Sequence, residues 1–161
     1  MDALKPKTRA AVLQIAEWQE GVVEMPSGSN KVKYNTAYYG QAVSGKVFAW
    51  CMVFVWWVFR EAGFNLWKTA SCTAFVNRYR VYAPKQIVTG NFRPGDIVFF
   101  DFSGGRKKAE HTGIVLEANG STVTTIEGNT GTGSDANGGK VMRRTRRVGL
   151  VTCAIRPGYP D

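Results

Sequence analysis

The run Trp50-Cys51-Met52-Val53-Phe54-Val55-Trp56-Trp57-Val58-Phe59 decides how this chain folds. It is apolar nearly all round, and Gly63 follows shortly after, so the pattern predicts a helix from about Cys51 to Ala62 closed by that glycine. A helix without a polar face belongs in the centre of a fold. The stretch Val47 to Phe59 is too short to span a bilayer. Cys51 stands at the helix start, where unpaired backbone N–H groups carry partial positive charge. That environment favours a nucleophilic thiolate, and the same N–H groups can hold the oxyanion of an acyl-transfer intermediate. The competing reading of Cys51 is a small core residue, as most free cysteines are.

Upstream, apolar positions at Val12, Leu13, Ile15, Ala16 and Trp18 predict a first helix from about Lys5 to Gln19, with Pro6 in its first turn and Gly21 as its stop. Residues Met25 to Lys46 read as a loop with one short helix near Thr36 to Tyr39. Downstream, a third main helix is expected near Thr73 to Tyr82, stopped before Pro84. The pattern then changes. Ile97 to Phe100, His111 to Glu117, Thr122 to Glu127, Val141 to Arg147 and Leu150 to Ile155 read as strands. Helices first and strands after predict one α+β domain over 1–161, with helices packed on an antiparallel sheet.

His111 is the one histidine of the chain, so any Cys–His chemistry must use it. A catalytic imidazole needs a third group to fix its tautomer, and Glu127 and Asn129 in Thr125-Ile126-Glu127-Gly128-Asn129 are the candidates. Register makes this a geometric test. A two-residue turn at Asn119-Gly120 would pair His111 with Gly128 and point Glu127 and Asn129 to the other face. An odd-length loop or a bulge is required to bring them to the His111 face.

The blocks Trp50-Cys51-Met52-Val53-Phe54-Val55, Arg93-Pro94-Gly95-Asp96-Ile97-Val98-Phe99-Phe100, His111-Thr112-Gly113-Ile114-Val115 and Thr125-Ile126-Glu127-Gly128-Asn129-Thr130, in that order, resemble a CHAP domain, the cysteine, histidine-dependent amidohydrolase/peptidase family. The resemblance implies a papain-like fold and cleavage of amide bonds in bacterial peptidoglycan, as in phage endolysins or autolysins. It implies Cys51 as nucleophile, His111 as base, Glu127 as orienting acid and Asn129 as its polar companion. Trp50, beside the nucleophile, is expected to line the cleft. Some relatives bind calcium through acidic loops before the nucleophile. No Asp or Glu lies between Glu24 and Glu61 here, so no metal or other cofactor is expected in that loop.

Lys+Arg number 21 against Asp+Glu 12, a net charge of +9 that suits a polyanionic partner: nucleic acid, anionic lipid or anionic wall polymer. A basic, non-catalytic binding module for wall polymer or nucleic acid is therefore the alternative function. No zinc-finger spacing or RNA-recognition signature supports nucleic acid. It also leaves the Cys, His and Glu pattern unexplained. The expected partner is peptidoglycan, met by a monomer without a membrane span. The run Arg143, Arg144, Arg146, Arg147 reads as solvated or as touching wall polymer, and Asp96 as a turn residue. With three cysteines at wide spacing there is no disulfide framework. Cys72 and Cys153 read as buried free thiols, with a bond between them as the alternative. The start, Met1 to Gly21, has no apolar signal-peptide core, so export is expected to need another route, such as a holin-type pore.

Overall fold

The computed structural model describes residues 4–161; Met1–Ala3, the beginning of the amphipathic start, lie outside the described residues. Its helices are α1 (Arg9–Trp18), α2 (Lys33–Tyr39), α3 (Cys51–Glu61) and α4 (Cys72–Tyr82). Its strands are β1 (Ile87–Val88), β2 (Ile97–Phe100), β3 (His111–Asn119), β4 (Thr122–Thr130), β5 (Lys140–Arg147) and β6 (Val151–Ile155). The strands form one antiparallel sheet in the order β1-β6-β2-β3-β4-β5.

The helix expected at the centre is there. On α3, Met52, Val53, Phe54, Val55, Val58 and Phe59 have no exposed surface. Burying each such side chain is worth about 1.5–3 kcal/mol. α3 packs on β3 and β4 and is flanked by α1 and α2. Contact with β4 is close because Gly128 lies under Phe54: a Cβ at 128 would stand 2.5 Å from Phe54 Cβ. Two cores result. One face of the sheet (Ile97, Phe99, Ile114, Ile126, Ile155) joins the helices. The other (Val98, Phe100, Val115, Val123, Val151) closes on Phe92.

α1 begins later than its apolar pattern predicts. Thr8 caps it, its hydroxyl accepting the Ala11 N–H at 3.2 Å, and Lys7 is left-handed at φ 59°. That backbone cannot belong to a right-handed helix, so the cap overrides Pro6 as the starting signal. Trp18, expected among the apolar positions, is 61% exposed. The loop after Gly21 is organised by Glu24, whose carboxylate accepts N–H groups of Gly28, Asn30 and the Trp50 indole. Asp96 does belong to a turn, accepting the Arg93 N–H, and it also pairs with Arg156 at 2.9 Å.

The β3–β4 turn lies one residue later than expected. Asn119 pairs with Thr122, so Gly120-Ser121 forms the two-residue loop, with Gly120 at φ 63°. This register alone would place His111 opposite Thr130, with Glu127 and Asn129 on the wrong face. A bulge at Leu116 corrects it: Glu117 pairs with Thr124, but Val115 pairs with Thr125 and Ile114 with Ile126. Carried onward, the corrected register sets Gly113 against Glu127 and His111 against Asn129. The geometric condition on Glu127 and Asn129 is met by the bulge.

Candidate active site

Cys51 is the first residue of α3, with 8% of its surface exposed. His111 is the first residue of β3 and is fully buried, flanked by the rings of Phe100 and Phe102 at 6.2 and 5.9 Å. His111 Nε2 lies 2.8 Å from Glu127 Oε1. The carboxylate accepts, so Nε2 carries the hydrogen. Nδ1, buried, has no hydrogen-bond partner among the described residues, which leaves it to face the thiol.

Glu127 reaches the imidazole by crossing over Gly113. A Cβ at 113 would stand 2.5 Å from Glu127 Cγ, so only glycine leaves room for the carboxylate. The buried carboxylate is fully satisfied. Oε1 accepts from His111 and from Arg146 Nη2 at 2.6 Å; Oε2 accepts from the Thr125 hydroxyl and from Arg146 Nε at 3.1 Å. Burial pushes its pKa up, but His111 and Arg146 outweigh burial and hold it at about 2, against an ordinary 4.5.

The sulfur and the imidazole polarise each other. Cys51 is held well below an ordinary thiol, first by a hydrogen bond from Cys72, then by His111 and the Met52 N–H, against desolvation. Burial works against a charged His111, yet Cys51 and Glu127 raise it from 6.5 to about 9. The favoured state is a thiolate beside an imidazolium, closed off at the back by a carboxylate.

Three further residues stand here that the sequence did not single out. Cys72, the first residue of α4, places its sulfur 3.8 Å from that of Cys51. All three cysteines are free and buried, so there is no Cys72–Cys153 bond. Thr125 braces Glu127. Arg146, in a basic run expected to be solvated or to touch wall polymer, is 5% exposed and bridges Glu127 and Asp135 while covering Phe100 and Phe102. Strand parity was the available signal, because Arg144 and Arg146 share a face that Arg143 and Arg147 do not. It points at Glu127 only once β5 is known to pair with β4.

Two expected site residues sit differently. Asn129, left-handed at φ 57°, contacts neither His111 nor Glu127 by hydrogen bond. Its amide accepts the Gly139 N–H at 3.1 Å and donates to Asn137, holding the 131–139 loop. Trp50 does not line a cleft: it has no exposed surface, stacks on Tyr34 at 5.6 Å and donates to Glu24. Being the residue before α3, it is carried inward with the apolar helix. A cavity of about 320 Å³ is lined by Thr73, Arg80, Lys107, Lys108 and Glu110, of which Thr73 and Glu110 are next in sequence to Cys72 and His111.

A family model described as the CHAP domain matches residues 38–129, which include Cys51, His111, Glu127 and Asn129. No curated protein matches the sequence. Among solved structures, the endolysin LysIME-EF1 superimposes with a TM-score of 0.62 at 16% identity, over 96% of this chain and 66% of that one. Ly7917 gives a TM-score of 0.53 at 19% identity, over 93% of this chain and 62% of that one. The same protein was also solved with the hydrolyzing product of MDP, giving a TM-score of 0.52 at 18% identity, over 93% of this chain and 63% of that one. This chain thus spans just under two thirds of the proteins it resembles. The likeness establishes the α+β, papain-like fold.

Proposed function

Since the chain belongs to the CHAP domain family, we propose that it is a cysteine amidohydrolase or peptidase that cleaves an amide bond of bacterial peptidoglycan, acting at the cell wall as one catalytic domain. The observation that carries this reading is the alignment of one imidazole. Its Nε2 is tied to a buried carboxylate, and its buried Nδ1 is left to a cysteine whose thiol pKa is lowered by Cys72, by the imidazole itself and by the Met52 N–H. Ly7917, solved with the hydrolyzing product of MDP, supports the substrate class.

In this mechanism the Cys51 thiolate attacks the scissile carbonyl, and N–H groups of the first turn of α3 receive the oxyanion. His111 protonates the departing amine through Nδ1, then takes a proton from the water that clears the thioester. Glu127 keeps the ring in the required tautomer. Asn129 contributes by fixing the loop behind Glu127. The bond cut is either the muramoyl–alanine amide or a stem or cross-bridge peptide bond. The enzyme works as a monomer without a metal and reaches the wall through a holin-type pore. No helix among the described residues is long and apolar enough to cross a membrane.

The test is turbidity loss of susceptible cell walls with the wild type and with Cys51→Ala. Loss of lysis in the variant with unchanged circular dichroism is expected. Full lysis by Cys51→Ala rejects the mechanism. An unreactive Cys51 toward iodoacetamide would favour a binding module instead. Mass spectrometry of released muropeptides separates amidase from endopeptidase by the new termini.

A further inference from the structure

Cys72 takes no bond-making or proton-transfer step in the mechanism above, yet its sulfur lies 3.8 Å from the nucleophile, and both are buried. We propose that Cys72 is a resolving thiol, which captures an oxidised Cys51 as a reversible Cys51–Cys72 disulfide and so protects the nucleophile from irreversible oxidation. Two sulfurs in van der Waals contact need to close by about 1.8 Å to reach a disulfide length. Both sit on the first residue of a helix, α3 and α4. Cys153, on β6, has neither sulfur as a partner.

The oxidant is a hydroperoxide. The Cys51 thiolate attacks the nearer peroxide oxygen, the O–O bond breaks, and the leaving alkoxide or hydroxide takes a proton from His111. Cys51 is then a sulfenic acid. The Cys72 sulfur attacks the Cys51 sulfur, the S–O bond breaks, and hydroxide departs with the Cys72 proton as water. Two thiols have lost two electrons and two hydrogens, and the peroxide has become an alcohol (or water) plus water. A small dithiol reverses the bond by exchange. The order of events suits the charges. While Cys51 is a thiolate, its proximity keeps Cys72 protonated and unreactive. Once Cys51 is a neutral sulfenic acid that restraint is gone, and Cys72 becomes the available nucleophile.

The experiment treats the whole protein with hydrogen peroxide, alkylates free thiols, digests it without reductant and maps the peptides by mass. A linked Cys51–Cys72 pair, two hydrogens lighter than the thiols, is expected, with Cys153 alkylated and full reversal by dithiothreitol. In Cys72→Ser and Cys72→Ala, Cys51 should advance to the sulfinic acid, which dithiothreitol does not reverse. Sulfinic acid at Cys51 in the wild type at the variants' rate, or a bond to Cys153, overturns the proposal. The bond is scored without substrate, so it stands or falls apart from the hydrolase reading. Wall lysis should be lost on oxidation and recovered with dithiothreitol, and only that outcome rests on the hydrolase reading.

Discussion

Glu127 shows how much of a buried imidazole's state is set by what stands behind it. Four hydrogen bonds converge on its buried carboxylate, two from Arg146. Removing one partner of a buried ion pair leaves an uncompensated charge, so Arg146→Met should cost about 3–5 kcal/mol and show as a lowered Tm, with lysis falling as His111 loses its fixed partner. A substitution at exposed Arg147 should change Tm little. The carboxylate's pKa, depressed from 4.5 to about 2, gives a second test with a definite sign. Its contribution to stability is fully present above about pH 4.5 and is lost as pH falls toward 2. Thermal unfolding against pH should show that acid limb flattened in Glu127→Gln. The sulfur and imidazole behave differently. Folding moves one proton from sulfur to ring, so between pH 6.5 and about 9 the pair binds one proton folded or unfolded and stability is flat. Alkylation reads where the proton is. Cys51 should react with iodoacetamide well below pH 9, while Cys153, whose thiol burial raises, should react only in alkali. Matching pH profiles for the two would contradict the ion pair. At this scale the lone histidine left one choice of base, while Cys51 was picked from three cysteines by its helix start and by the ordered blocks that resemble a CHAP domain. Arg146 and Cys72 were not legible, because their partners lie 19 and 21 positions away, at distances that only register and helix packing set, whereas Thr125 lies two residues from Glu127 on one strand face, which alternation could have shown.

Among the elements, periodicity found α3 and the longer strands because each presents an uninterrupted face to a core. It did not find β1, whose two residues are too few for a period. It misplaced the start of α1, where the Thr8 cap and a left-handed Lys7 decide. The hairpin is the instructive case. Sequence alternation required a shift of one residue but could not say whether the turn or the strand would provide it. The structure moves the turn to Gly120-Ser121, which leaves the facing unchanged, and the bulge at Leu116 alone supplies the shift that brings Glu127 to the His111 face. Gly113 is the tolerance point of this arrangement. Gly113→Ala puts a methyl 2.5 Å from Glu127 Cγ, and overpacking of this kind costs about 1–3 kcal/mol. Lysis should fall further than the Tm shift explains, because the displaced atom carries the orienting carboxylate. Gly120→Ala meets no atom within 4 Å, and at φ 63° it should cost about 1–2 kcal/mol of backbone strain while lysis of the folded fraction is kept. Equal loss of activity in both variants would mean that Gly113 matters only for stability.

For the molecule as a whole, the +9 charge has two readings, solubility and attraction to an anionic wall. Burial of Arg146 and the pairing of Arg144 with Asp135 remove two cations from the surface argument. Arg80, Lys107 and Lys108 are different. They rim the cavity that Thr73 and Glu110 also line, and among the described residues no carboxylate pairs with them. Asp101 fixes the loop that carries the two lysines by accepting the Lys107 and Lys108 N–H groups. Unpaired cations on a fixed loop favour an anionic polymer, and salt weakens such an attraction. Raising ionic strength from about 0.1 M to about 1 M shortens the Debye length from about 10 Å to about 3 Å. Binding of Cys51→Ala to isolated walls, measured by sedimentation, should therefore weaken severalfold over that range. Lys107→Glu with Lys108→Glu should bind weakly at low salt and lose most of the salt dependence. Turnover of a short uncharged peptide amide by the wild type should stay constant. Wall binding that ignores salt, or a double variant indistinguishable from its parent, would return the +9 charge to a role in solubility alone.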